Sequence, residues 1–141
     1  MIRFFGGRVM TLANGIETQD IEVWTDGSKI VFVGKPKAEE LDGKVFEREY
    51  DLKGNLLMPS FKNAHTHSAM TFLRSYADDM PLQDWLFKQI FPMEAKLDGE
   101  KVYWLTKLAI LEYLTTGCTA AFDMYFELDD YVKACIESGF R

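Results

Sequence analysis

The chain predicts an α/β fold in which a small β-rich segment precedes a strand–helix alternation, the pattern of a parallel sheet with helices outside. Two observations carry this. Residues 2–34 hold several short β-rich runs punctuated by glycine, whereas residues 81–138 read mainly as helices separated by one apolar strand-like run. The character changes near residue 58, dividing the chain into 1–58 and 59–141.

Each element has a local reason. The run 2–12 is apolar-rich and broken by Gly6-Gly7, which predicts a bulge or turn. Runs 20–25 and 28–34 joined by Asp26-Gly27 predict a hairpin. Residues 35–44, polar with Pro36 and Gly43, read as a surface connection, and 45–52 as a further strand. A short apolar run at 55–58 then leads through Pro59 into His65 and His67. Pro81 opens a helix to residue 91, with Leu82, Trp85, Leu86 and Ile90 on one face. Asp98 caps a second helix to about residue 116, closed by Gly117, and its near-continuous apolar content predicts burial on most sides. Residues 118–125 read as a buried strand. A last helix is capped by Asp129 or Asp130 and stopped by Gly139.

With 48% apolar and 14% aromatic residues among 141, the chain has ample material for a core, and disordered or fibrous readings are excluded. Its 22 acidic against 16 basic residues argue against nucleic acid or an anionic membrane as partner. No apolar run approaches the roughly 18 residues of a membrane span. The first residues lack a secretory signal's apolar stretch, so a cytoplasmic location is expected. Cys118 and Cys135 form no C-x-x-C pair and read as buried free thiols.

The chain's two histidines lie two residues apart. On an extended backbone Asn63, His65 and His67 project to one face and Ala64 and Thr66 to the other. Two imidazoles so placed can grip a divalent zinc, iron or nickel ion if other ligands come from elsewhere. The alternative is a pair of structural histidines.

The segment Met58-Pro59-Ser60-Phe61-Lys62-Asn63-Ala64-His65-Thr66-His67 resembles the first barrel strand of the amidohydrolase superfamily. Its one departure is Ser60, where glycine usually follows proline. Met70-Thr71-Phe72-Leu73-Arg74, Ala77-Asp78-Asp79-Met80-Pro81-Leu82, Asp84-Trp85-Leu86, Ile90-Phe91-Pro92-Met93-Glu94 and Phe122-Asp123-Met124-Tyr125 are similar to its 5-methylthioadenosine/S-adenosylhomocysteine deaminase branch.

That resemblance implies a (β/α)8 TIM-like barrel flanked by a small β-sandwich. It also implies one divalent metal, zinc above all, held by His65, His67 and a histidine and an aspartate from later strands. Water activated by the metal would replace the amino group at C6 of an adenosine thioether, releasing ammonia. By the same resemblance Glu94 holds the ribose hydroxyls and Trp85 lines the base or sugar pocket. Otherwise these would read as an exposed helix-end carboxylate and a core tryptophan. Asp123 reads as structural and Arg74 as a salt-bridge residue. At roughly 31 residues per βα unit, residues 59–141 provide the first two units of a partial barrel.

The family's proton-handling glutamate and histidine have no counterpart here, so no catalytic residue is assigned within the chain. Alone it is expected to bind metal weakly and not to deaminate. The expected partners are a small-molecule nucleoside and the remainder of the barrel, in a parent that could be a homo-oligomer. Alternatives are another amidohydrolase, acting on guanine or a triazine, or a non-catalytic metal-binding module.

Overall fold

Strands β1 (Ile2–Phe5) and β2 (Arg8–Thr11) are separated at the two glycines. Gly6 has φ +70°, and a Cβ there would collide with the Asp51 carboxylate; one on Gly7 would strike the Asn55 carbonyl. Only glycine allows this crossing. The break sends β1 and β2 into different sheets. In this computed structural model, which describes residues 1–13 and 15–141, the chain forms two compact units, Met1–Pro59 and Ser60–Arg141.

In the first unit β1 pairs antiparallel with β4 (Glu22–Asp26) and parallel with β6 (Arg48–Asp51), and with β5 (Lys29–Gly34) the order is β5-β4-β1-β6. β2 lies between β3 (Glu17–Gln19) and β7 (Leu56–Leu57). The hairpin to β5 (Lys29–Gly34) forms, but Asp26 pairs with Lys29, so Gly27 and Ser28 make its turn. Strand β3 precedes the run read as strand, and the connection after β5 contains a one-turn helix, α1 (Ala38–Leu41).

Trp24, only 3% exposed, centres this unit's core. Its ring stacks on Phe32 at 4.2 Å and meets Phe46 edge-on at 5.2 Å. The indole N–H donates to Glu22 at 2.8 Å, and Glu22 also accepts two hydrogen bonds from Arg3, at 2.6 and 2.7 Å. Those Arg3 bonds, helped by Trp24, hold the Glu22 carboxyl below its ordinary range against the opposing effect of burial.

In the second unit β8 (Phe61–Thr66) runs parallel to β9 (Cys118–Asp123). The crossover comprises a 3-10 turn (Ser68–Leu73), α2 (Leu82–Asp84), a π-helical stretch (Trp85–Ile90), α3 (Phe91–Glu94) and α4 (Gly99–Thr115). Helix α5 (Leu128–Ser138) follows β9. Pro81 lies just outside the helix rather than at its first position, and the helical path passes residue 91 to Glu94. Pro92 has no N–H and crowds the carbonyl four residues back; the wide turn before it makes room.

Asp98 caps α4, accepting from the Lys101 N–H at 3.0 Å. Helix α5 begins two residues earlier than capping by Asp129 requires. Glu127, at φ +54°, precedes it without a side-chain cap, and Asp129 and Asp130 lie in its first turn, where they complement the helix dipole. Gly139, at φ +64°, ends it.

Ile110, Ala134 and Phe140 form the core between α4, α5 and β9, with Tyr113 stacked on Phe140 at 5.3 Å. Cys118 is buried and Cys135 half-buried, both free. The expected burial of α4 on most sides is not met. Val102, Thr106, Ala109 and Ile110 are buried, but Trp104 is 62% and Leu111 59% exposed. Strand β9 likewise buries only Cys118, leaving Phe122 78% exposed. A two-stranded sheet flanked by these helices covers one side of each element and leaves the other bare. Among the described residues no helix is long and apolar enough to cross a membrane.

Two outcomes follow. The stability advantage of the wild type over Glu22→Gln should be complete above the ordinary glutamate value of 4.5 and vanish as pH falls through the lowered folded value. Urea melts at neutral and acidic pH check this. The bare faces should make the chain elute above 16.3 kDa on a sizing column, and the double variant Trp104→Lys, Leu111→Lys should shift it toward that mass.

Candidate active site

His65 is the penultimate residue of β8 and His67 sits one residue beyond the strand, at φ −134° and ψ 77°. The β8–β9 register shifts between Asn63 and Thr66, so the uniform alternation expected over 63–67 is interrupted. The two imidazoles nevertheless converge, with ring centroids 4.9 Å apart and planes at 85°.

The end of β9 holds this segment. His67 Nδ1 lies 2.8 Å from the Met124 carbonyl oxygen. A carbonyl only accepts, so Nδ1 carries the proton and the Nε2 lone pair is free. The Met124 N–H donates to the Thr66 carbonyl at 3.3 Å. One Asp123 oxygen accepts from the Ser68 N–H at 3.0 Å and from the Ser68 hydroxyl. Tyr113, reaching from α4, hydrogen-bonds the hydroxyls of Thr66 at 2.5 Å and Ser68 at 3.1 Å.

His67, Trp85 and Glu94 line one cleft of about 460 Å³, walled also by Ile90, Met124 and Tyr125. His65 is not part of that lining and reaches the cleft only through its contact with the His67 ring. The π-helical stretch starts at Trp85, and α3 ends on Glu94 one turn after it, so one helical path delivers both side chains. Arg74 makes a two-pronged, exposed salt bridge to Glu112 and does not line the cleft.

The sequence assigns no role to Tyr125, which closes the Phe122-Asp123-Met124-Tyr125 motif. Its phenol oxygen is buried without a hydrogen-bond partner among the described residues. Burial pushes the phenol well up, and the neighbouring Glu94 carboxylate pushes it further, so it stays protonated as a donor. Stacking of Phe126 on Tyr125 at 4.4 Å, with near-parallel rings, gives that side of the cleft a flat aromatic wall.

Among the described residues no group of three or more His, Cys, Asp or Glu side chains is placed to share a metal ion. The donor set present is two imidazoles, one with its free nitrogen fixed by tautomer. That chemistry fits part of the shell of a borderline divalent ion.

The parallel βα arrangement defines an α/β protein: residues 56–141 match the amidohydrolase family, and the chain belongs to it. It is 42% identical over 120 residues to the 5-methylthioadenosine/S-adenosylhomocysteine deaminase of Desulfitobacterium hafniense, covering 85% of this chain and 28% of that protein. It is 43% identical over 134 residues to the 5′-deoxyadenosine deaminase of Methanospirillum hungatei, covering 93% and 30%. Its fold matches the crystal structure of an adenosine deaminase from Xanthomonas campestris with bound zinc at a TM-score of 0.90. Identity there is 34%, over 99% of this chain and 32% of that one. The chain thus spans about three-tenths of the length of these relatives.

Tyr113→Phe removes the hydroxyl that bridges Thr66 and Ser68. It should cost about 1 kcal/mol of stability, read from urea melts of the two proteins.

Proposed function

We propose that this chain supplies part of the active site of a metal-dependent aminohydrolase. The enzyme would convert adenosine analogues altered at the 5′ carbon into inosine derivatives and ammonia. The observation that carries the reading is the convergence of His67, Trp85 and Glu94 around one cleft, with the His65 ring against that of His67. The names of the relatives support the nucleoside class. On this proposal β8 and β9 are the first two strands of a (β/α)8 barrel, and the first unit belongs to a flanking β-sandwich.

His65 and His67 would hold the metal, for which zinc is the natural choice given two imidazole donors. Such an ion supplies Lewis acidity that makes water a competent nucleophile near neutral pH. This chain's own residues bind and orient. Glu94 presents two acceptor oxygens, the number a vicinal ribose diol needs. The Trp85 indole offers a flat face to a base or sugar, while Ile90 and Met124 keep the cleft wall apolar and limit water. Overall, water adds at C6 and the exocyclic amine departs as ammonia. The chain has no further histidine, so the remaining ligands and the groups that move protons at C6 come from other residues.

The test is a chimaera in which residues 1–141 replace the equivalent part of the Desulfitobacterium hafniense enzyme. It should release ammonia from 5′-methylthioadenosine, and His65→Ala or His67→Ala should reduce kcat/KM at least a hundredfold, as expected for loss of a ligand. Glu94→Gln should cost about ten- to a hundredfold on substrates with a free ribose diol and little on 2′,3′-dideoxy analogues. A chimaera that folds and turns over equally well without both imidazoles would refute the reading. The 141-residue chain alone should show no ammonia release above its His65→Ala control.

A further inference from the structure

We propose that Asp123 is a positioning residue that, through Ser68, sets the ring of His67 for the metal. The proposal rests on the metal-site reading above but makes its own claim about how the site is held. Ser68 directly follows His67, and its N–H and hydroxyl both donate to one Asp123 oxygen. Fixing the peptide after His67 fixes its ψ, and with it the direction in which the imidazole leaves the backbone. The next residue of the same segment, Met124, then meets that imidazole with its carbonyl at 2.8 Å and meets the Thr66 carbonyl with its N–H at 3.3 Å.

Two consecutive residues, 123 and 124, therefore hold three consecutive residues, 66, 67 and 68, at four points. Backbone pairing alone would hold Thr66; of these four contacts, the two to the carboxylate lie past the histidine and pin the chain on its far side, where the Tyr113 hydroxyl also meets Ser68. The other Asp123 oxygen is buried without a hydrogen-bond partner among the described residues, so the hydrogen bonds this carboxylate accepts there come from Ser68. Its contacts converge on the turn that carries the ligand.

The chain, labelled with 15N at histidine, gives a readout independent of activity. At mildly alkaline pH, long-range 15N–1H spectra of the wild type should show His67 protonated at Nδ1. In Asp123→Ala, with the far-UV circular dichroism of the wild type retained, His67 should shift to a mixture dominated by the Nε2–H form of a solvated imidazole. Zinc affinity, measured by competition with a chromophoric chelator, should fall about tenfold in Asp123→Ala and stay within about threefold in Asp123→Asn, whose amide oxygen accepts the same two bonds. Should Asp123→Ala lose its helical signal, Ser68→Ala, which removes the hydroxyl arm alone, carries the same readouts with smaller shifts.

A folded Asp123→Ala with the wild-type tautomer and affinity overturns the proposal. So does an Asparagine variant as damaged as the alanine one, since charge rather than position would then be acting. Unchanged zinc affinity in His65→Ala and His67→Ala would sink the metal reading instead, and the tautomer spectra would still decide the role of Asp123.

Discussion

The second unit depends on the grip that the end of β9 keeps on the turn leaving β8. Neutral imidazole is a useful ligand only when one nitrogen is reserved and the other exposed, and the Met124 carbonyl makes that reservation for His67. The carbonyl is where it is because β8 and β9 are neighbours in a parallel sheet. Parallel neighbours need a long crossover, and the residues from Ser68 to Thr115 provide it. The same crossover returns Tyr113 to the hydroxyls of Thr66 and Ser68, so the connection supports the turn it starts from.

The crossover does a second job. An unbroken α-helix through Pro92 would place the ring of that proline against the carbonyl of residue 88. The π-helical stretch from Trp85 to Ile90 widens the path, with the Phe91 N–H reaching back to the Leu86 carbonyl. Inserting a wide turn rotates everything after it relative to everything before. Trp85 at its start and Glu94 beyond its end thereby face one cleft, although a regular helix, at about 100° per residue, would set residues nine apart on opposite faces. Ile90, 2% exposed, anchors the stretch while its neighbours vary in exposure.

Much of this was legible in the sequence because it is set locally. Gly6-Gly7, Asp98, Gly117 and Gly139 act within a few residues of themselves, and each stands where a break, cap or stop was expected. The histidine spacing was legible for the same reason. What misled was whatever depended on a distant partner. Asp129 and Asp130 look like caps, yet α5 starts before them, and Asp130 lies instead against Gly99 at the head of α4. The apolar content of α4 forecast burial all round, but periodicity reports which faces prefer cover, and only the sides facing β9, α5 and the 3-10 turn receive it within this chain. Tyr125 and Met124 were invisible as site residues because one acts through burial and the other through its main chain.

That last point bears on how the site tolerates change. A carbonyl partner cannot be altered by substituting Met124, so the protection of His67 depends on strand register rather than on a side chain. The register is not regular. Asn63 pairs with Ala121, and simple continuation would set His65 opposite Asp123; instead Thr66 does so, after one extra residue in β8. Without that bulge, Asp123 and Met124 would meet the chain one residue too early, leaving Ser68 beyond the carboxylate and the His67 ring beyond the carbonyl. A one-residue slip also exchanges the two faces of a strand. The bulge, by breaking the alternation that first pointed to the histidines, lets β9 hold the turn that carries the second of them.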